Sequence, residues 1–171
     1  SQRISMRRRP GTKWRVTYRL QIGSSQWFQS LSALGYTPAK SLTLQFPRVP
    51  SRHIPHFVRG YFDGDGCVYF RRLKFADRRK KRWILMAMFT SGSLNFLSAL
   101  WAELKCRGVI GGSMYQKTRG IDLKFSHKDS VALFNIMYNT DPVTGLHLPR
   151  KYKLFCKAIR TLYPEGQILR S

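Results

Sequence analysis

A glycine inside an apolar helix costs about 1 kcal/mol against alanine, and the segment FVRGYFDGDG, Phe57–Gly66, sets two of them, Gly60 and Gly64, four residues apart. Residues so spaced share one helix face, and small pairs of this kind let a second helix approach to backbone distance. The run from Ile54 to about Gly64 therefore reads as a helix built to pack closely on another. It stops where Asp63 and Asp65 sit among glycines, at the end where the macrodipole disfavours negative charge by a few tenths to about 1 kcal/mol. The chain holds only 8 Asp and Glu against 31 Lys and Arg. Two carboxylates spent at such a place are suited to holding a divalent cation beside a phosphodiester. A cap or turn made by Asp65 is the structural alternative.

Downstream, the hydrophobic period switches in a definite order. Cys67–Phe75 and Arg82–Thr90 read as two strands joined by ADRRKK. A helix capped by Ser93 follows, with Phe96, Leu97, Leu100, Trp101 and Leu104 at helical spacing. Gly112–Lys117 and Ile121–Ser126 form a second hairpin, then come a helix over Lys128–Tyr138, a Pro/Gly loop and a last helix from about Arg150 to Tyr163. The class is α+β, with an αββαββα core and an antiparallel sheet. Upstream, Val16–Ile22 alternates as a half-buried strand, Gly23-Ser24-Ser25 caps a helix bearing Trp27, Phe28, Leu31 and Leu34, and three prolines mark the connector LTLQFPRVPSRHIP. The opening SQRISMRRRPGTK suits either a solvated tail or a path along phosphates.

A formal charge of +23 repels itself unless a polyanion balances it, which points to nucleic acid. No apolar run approaches the roughly 20 residues of a spanning helix, so a membrane is not expected as partner. Cys67, Cys106 and Cys156 are odd in number and lack zinc or dithiol spacing. They read as reduced core residues of a protein in a reducing, intracellular compartment, cytoplasm or nucleoid or organelle, and Ser1–Arg9 lacks the apolar stretch of a secretory signal. Trp14, Trp27, Trp83 and Trp101 also read as core. The four histidines have no metal-ligand spacing.

The stretch Val58–Gly66, VRGYFDGDG, resembles the signature of the LAGLIDADG homing endonucleases, with Gly60, Asp63, Asp65 and Gly66 at matching positions and apolar Val58, Tyr61 and Phe62 at the apolar ones. The αββαββα order after it is similar too, so residues 51–171 read as one complete unit of that family with its β-sheet saddle. YRLQIGSSQWFQSLSALGYTP resembles IDLKFSHKDSVALFNIMYNTDP in its strand, polar cap, helix and proline. Residues 1–50 therefore read as a basic lead-in and the strand–helix end of a preceding unit.

The resemblance implies a site-specific endonuclease that hydrolyses double-stranded DNA with Mg²⁺, borne on an intron and active as a homodimer or with a separate partner half. Asp65 and the Gly64 carbonyl would hold the metal, Asp63 would join Gly60 and Gly64 at the helix junction, and Ser91 stands near a polar water-positioning residue. The family's pocket lysine falls at Pro149, so Arg150 or Lys151 would substitute. Arg71, Arg72, Lys74 and the turn Arg78, Arg79, Lys80, Lys81 and Arg82 form one basic hairpin for DNA. Tyr115, Gln116, Lys117, Arg119 and Lys124 form the other. Only one motif is present, which keeps open a rival: a non-cleaving nucleic-acid binder on the same scaffold, such as an RNA maturase-like factor or a regulator.

Overall fold

The computed structural model describes residues 4–8, 10, 11, 13, 16–35, 41–77, 79–139 and 146–164. Its two compact units are residues 1–37 and 38–171. Trp14 and Arg78 lie outside the described residues.

In the first unit β1 (Ile4–Arg7) pairs antiparallel with β2 (Thr17–Leu20), Ile4 opposite Leu20. Helix α1 (Ser25–Ala33) starts behind Ser24, whose hydroxyl accepts from the Trp27 amide at 3.1 Å. Two expectations change here. The basic lead-in contributes a strand, ISMR, too short to stand out from its surroundings. The strand read as half-buried is exposed throughout, and Trp27 is 55% exposed instead of lying in a core. Among the described residues of this unit, a two-stranded hairpin and one short helix offer no further layer on which to bury their apolar faces.

In the second unit a connector leads to a single 3₁₀ turn, Ser51–His53, that runs into α2 (Ile54–Asp65). Pro55 falls in the first turn, where a missing amide hydrogen costs nothing. The chain continues as β3 (Gly66–Leu73), β4 (Arg82–Ser91), α3 (Leu94–Lys105), β5 (Ser113–Lys117), β6 (Gly120–Ser126), α4 (His127–Tyr138) and α5 (Pro149–Leu162). The eight elements follow the expected order, with α5 closing it. All strands are antiparallel in the spatial order β3-β4-β6-β5.

Because side chains alternate across a strand, one sheet face gathers Val68, Phe70, Leu85, Ala87, Phe89, Ile121, Leu123 and Phe125, all buried. Against it lie Val58 and Phe62 of α2, Phe96, Leu97 and Leu100 of α3, Leu133 and Met137 of α4, and Phe155 and Ala158 of α5. Fully burying one such side chain contributes about 1.5–3 kcal/mol, so this layer carries the fold. Ser93 caps α3 through its hydroxyl, which accepts from the Phe96 amide at 3.2 Å and donates to the Leu44 carbonyl at 2.6 Å. That bond holds the connector, whose Leu44, Phe46 and Val49 rest on the core.

The cysteines depart from expectation: Cys67 and Cys106 are exposed and Cys156 is half-buried, all three free. Strand alternation explains the first, since Cys67 falls on the face opposite buried Val68. Trp83 and Trp101 are half-buried at the margin of the core, Trp83 stacked on Phe70 with ring centroids 4.5 Å apart. No described helix is long and apolar enough to cross a membrane.

Candidate functional site

The carboxyl end of α2 is the chemical focus of the second unit. Val58 and Phe62 anchor one side of the helix in the core with no exposure. On the other side Gly60 and Gly64 are exposed, and a Cβ built on either would meet nothing within 4 Å. Gly66, by contrast, is required by close approach, because a Cβ there would collide with the Phe62 ring and carbonyl. The chain thus turns from helix to strand directly under Phe62.

Asp65 ends the helix exposed, and its carboxylate makes no hydrogen bond or ion pair with a described residue. Asp63 turns inward, its Oδ2 accepting from the Leu148 amide at 2.8 Å at the start of α5. Its Oδ1 is buried without a hydrogen-bond partner among the described residues.

Lys151 faces the same spot from α5. Its Nζ donates to the carbonyls of Phe62 at 2.6 Å, Asp63 at 3.0 Å and Gly66 at 2.5 Å, and lies 5.2 Å from the Phe62 ring centroid. The ammonium therefore supplies the positive charge that the end of α2 calls for. Burial and, next, the neighbouring Arg150 push the Lys151 pKa below its ordinary value, opposed by Asp63, Cys67 and Asp65. Arg150 itself is exposed and, with Gly64, Cys67 and Lys151, lines a cavity of about 270 Å³. A second buried base repeats the device. Arg59 of α2 donates from Nη1 to the Met137 carbonyl at 3.0 Å, in the last turn of α4, while Nη2 lies 3.0 Å from His56 Nδ1.

Sequence reasoning missed both caps, although each left a signal. Lys151 stands in the first turn of a helix, where the dipole disfavours a cation, and Arg59 sits beside core residue Val58. Ser91 accepts from the Ser93 amide at 3.1 Å and hydrogen-bonds Tyr61. The Tyr61 hydroxyl also donates to the Thr90 carbonyl at 2.8 Å. Its pKa is pushed up to about 12, chiefly by burial, against the hydrogen bond from Ser91 and with a further push from Asp65.

The outer face of the sheet divides the residues proposed for DNA. Pairing of Tyr69 with Met86, Arg71 with Ile84, Met88 with Lys124, Ser113 with Lys124 and Tyr115 with Asp122 puts these on one side, joined by Lys117. Arg72 and Gln116 have the opposite parity, though both are exposed. Lys74, Arg79, Lys80, Lys81, Arg82 and Arg119 are exposed on the hairpin ends. The centre of the outer face is apolar, with Ile84, Met86 and Met88 half-buried, a feature that basic counting does not reveal.

Mg²⁺ wants near-octahedral oxygen ligands and keeps several waters. The Asp65 carboxylate and the Gly64 carbonyl are hard oxygen donors at one helix end, and Lys151 engages the carbonyls on either side of Gly64. They fit one edge of such a site. No cluster of three or more His, Cys, Asp or Glu that could hold a metal exists among the described residues.

No protein-family model matches the chain, and no curated protein sequence does. Among solved structures it is similar to the homing endonuclease I-CvuI on the I-CreI DNA target with Mg, the DNA not cleaved. The TM-score there is 0.51 at 14% identity, covering 67% of this chain and 70% of that one. It also matches the LAGLIDADG homing endonuclease I-GzeII with its DNA target, at TM-score 0.47 and 17% identity, covering 68% of this chain and 38% of that one. The group I intron-encoded I-CeuI on DNA gives 0.45 and 12%, covering 82% and 65%. With its four-stranded antiparallel sheet, helices on one face and a glycine-bearing helix leading into β3, this chain has the LAGLIDADG homing-endonuclease fold.

Proposed function

We propose that the chain is one half of a site-specific endonuclease for double-stranded DNA, completed by a second motif helix from another copy or a partner chain. One observation carries this: α2 presents an open glycine face and ends on an exposed carboxylate that no described residue engages. Two such helices packed through Gly60 and Gly64 would bring two Asp65-type carboxylates together, as cutting both strands requires. The chain's charge of +23 supplies the attraction for phosphate.

In this reading Asp65 and the Gly64 carbonyl hold Mg²⁺, which when bound supplies Lewis-acid stabilisation of a phosphodiester and a more acidic water. Lys151 fixes the helix end from which both ligands project, and Asp63 locks that end to α5. Arg150 is exposed at the same cavity and can meet a phosphate oxygen. Tyr61 positions Ser91 beside the helix end, where its hydroxyl can orient water. The outer sheet face and the basic hairpin ends lie along the duplex.

The test is plasmid cleavage with Mg²⁺ over a library of candidate targets, wild type against Asp65→Asn. Discrete double-strand cuts by wild type, with binding but no cutting by the variant, are expected. If both bind tightly and neither cuts, cleavage by this chain alone is excluded, which leaves a separate partner half or a non-cleaving binder.

A further inference from the structure

Asp122 is the anomaly of the outer sheet face. It lies mid-strand in β6, on the side that carries Tyr115, Lys117 and Lys124, yet its side chain has no exposure at all. Isolated burial of a carboxylate is prohibitive, so its surroundings must compensate it. They do so with three groups. Lys117 forms a close ion pair with Oδ2, Lys124 places Nζ 3.7 Å from the same oxygen, and Thr90 donates to Oδ1 at 2.8 Å. Lys124 is held a second time, with Nζ 4.4 Å from the centroid of the Tyr115 ring. Thr90 in turn receives the Tyr61 hydroxyl on its carbonyl, so the network begins on the motif helix.

Lys117 is 52% exposed and Lys124 26% exposed, so both cover the carboxylate while remaining at the surface. A lysine spent on a buried carboxylate is not free to neutralise a phosphate, and each lysine that does so steepens the salt dependence of binding by about 0.9. In a chain with so few acids, an acid here removes attraction from the middle of the proposed DNA face. Among the described residues, Lys74, Arg79, Lys80, Lys81, Arg82 and Arg119 stay exposed at the hairpin ends.

We propose that Asp122 is a positioning residue of the nucleic-acid face, an internal counter-charge that holds Lys117 and Lys124 off the phosphates and in fixed orientation beside Tyr115. The centre of the saddle then meets base edges through ordered, half-neutralised side chains, while backbone attraction is confined to the hairpin ends. The inference rests on the sheet face being the one that contacts DNA.

The experiment measures the affinity for a random-sequence duplex as a function of KCl, with folding of each variant checked by circular dichroism. Asp122→Asn keeps the shape and the acceptor for Thr90 while freeing two lysines. The slope of log K against log salt should steepen by about 1 to 2, with tighter binding at low salt. Thr90→Val loosens the same network without changing charge and should leave the slope unchanged. Should Asp122→Asn fail to fold, Lys117→Met in the otherwise unaltered chain decides. It is expected to lower the slope by well under the about 0.9 of a phosphate-bound lysine. An unchanged slope for folded Asp122→Asn overturns the proposal, as does equal steepening by Thr90→Val or a full loss of about 0.9 from Lys117→Met. If wild type shows no salt-dependent binding of the duplex, the DNA reading itself falls, and the proposal falls with it.

Discussion

Lys151, on the last helix, donates from its ammonium to the carbonyl of Gly66 at the end of the motif helix, 85 positions earlier in the chain. The same nitrogen reaches the carbonyls of Phe62 and Asp63. The helix end that carries Asp65 is therefore held from outside, by one buried cation. Replacing Lys151 with Met should remove three charge-assisted hydrogen bonds and cost about 3 kcal/mol, the upper end of the range for a bond to a charged group. The urea midpoint should fall at constant m-value; a loss under about 1 kcal/mol would show that water reaches this end and that the cap matters little.

The open face of α2 separates folding from association. Nothing lies within 4 Å of a Cβ on Gly60, so Gly60→Ala should stabilise the isolated chain by up to about 1 kcal/mol through helix propensity. Gly60→Leu should melt no lower than wild type, yet lose self-association by analytical ultracentrifugation together with any DNA cleavage. A Leu variant that still assembles and cuts would show that the second helix packs elsewhere.

Tyr61 gives a pH signature. Its pKa rises from 10 when unfolded to about 12 in the fold, mainly through burial. The folded state then binds more protons between these values, so its contribution is complete below about 10 and lost as pH climbs through about 12. Denaturant midpoints across that range should fall less steeply in Tyr61→Phe than in wild type. Tyr138 and Tyr152, also raised, leave a residual slope. Identical slopes for the two proteins would place Tyr61 in water.

Ser93 joins the connector to the core. Ser93→Ala removes the α3 cap and the bond to the Leu44 carbonyl together, and caps of this type are worth about 1 kcal/mol. The expected loss is about 1–2 kcal/mol. Amide exchange should accelerate in residues 41–50 more than in the sheet. Uniform acceleration would mean that the connector depends on Leu44, Phe46 and Val49 alone.

How much of this was legible beforehand differs from residue to residue. The eight-element order of the second unit could be read because Leu97, Leu100 and Leu104 recur at helical spacing and Leu85, Ala87 and Phe89 at strand spacing. The stop near Gly64 was readable from its glycines, although the helix runs on to Asp65. The strand at Ile4–Arg7 was not, being four residues inside a basic run. Cys67 misled because cysteine is usually buried, whereas the register of β3 turns it outward. Arg72 and Gln116 counted as basic or polar hairpin residues alongside Arg71 and Tyr115, and only the pairing register separates the two faces.

By itself, the sequence determined the periodic elements, their order, the charge and the glycine-bearing helix that ends in Asp65, since each follows from residues near one another along the chain. Which groups meet was decided by tertiary structure alone: Lys151 on the end of α2, Arg59 on the end of α4, Asp122 beneath Lys117 and Lys124. Burial is the reason. A charge removed from water must find its partner wherever packing has put one, and distance along the chain has no part in that choice.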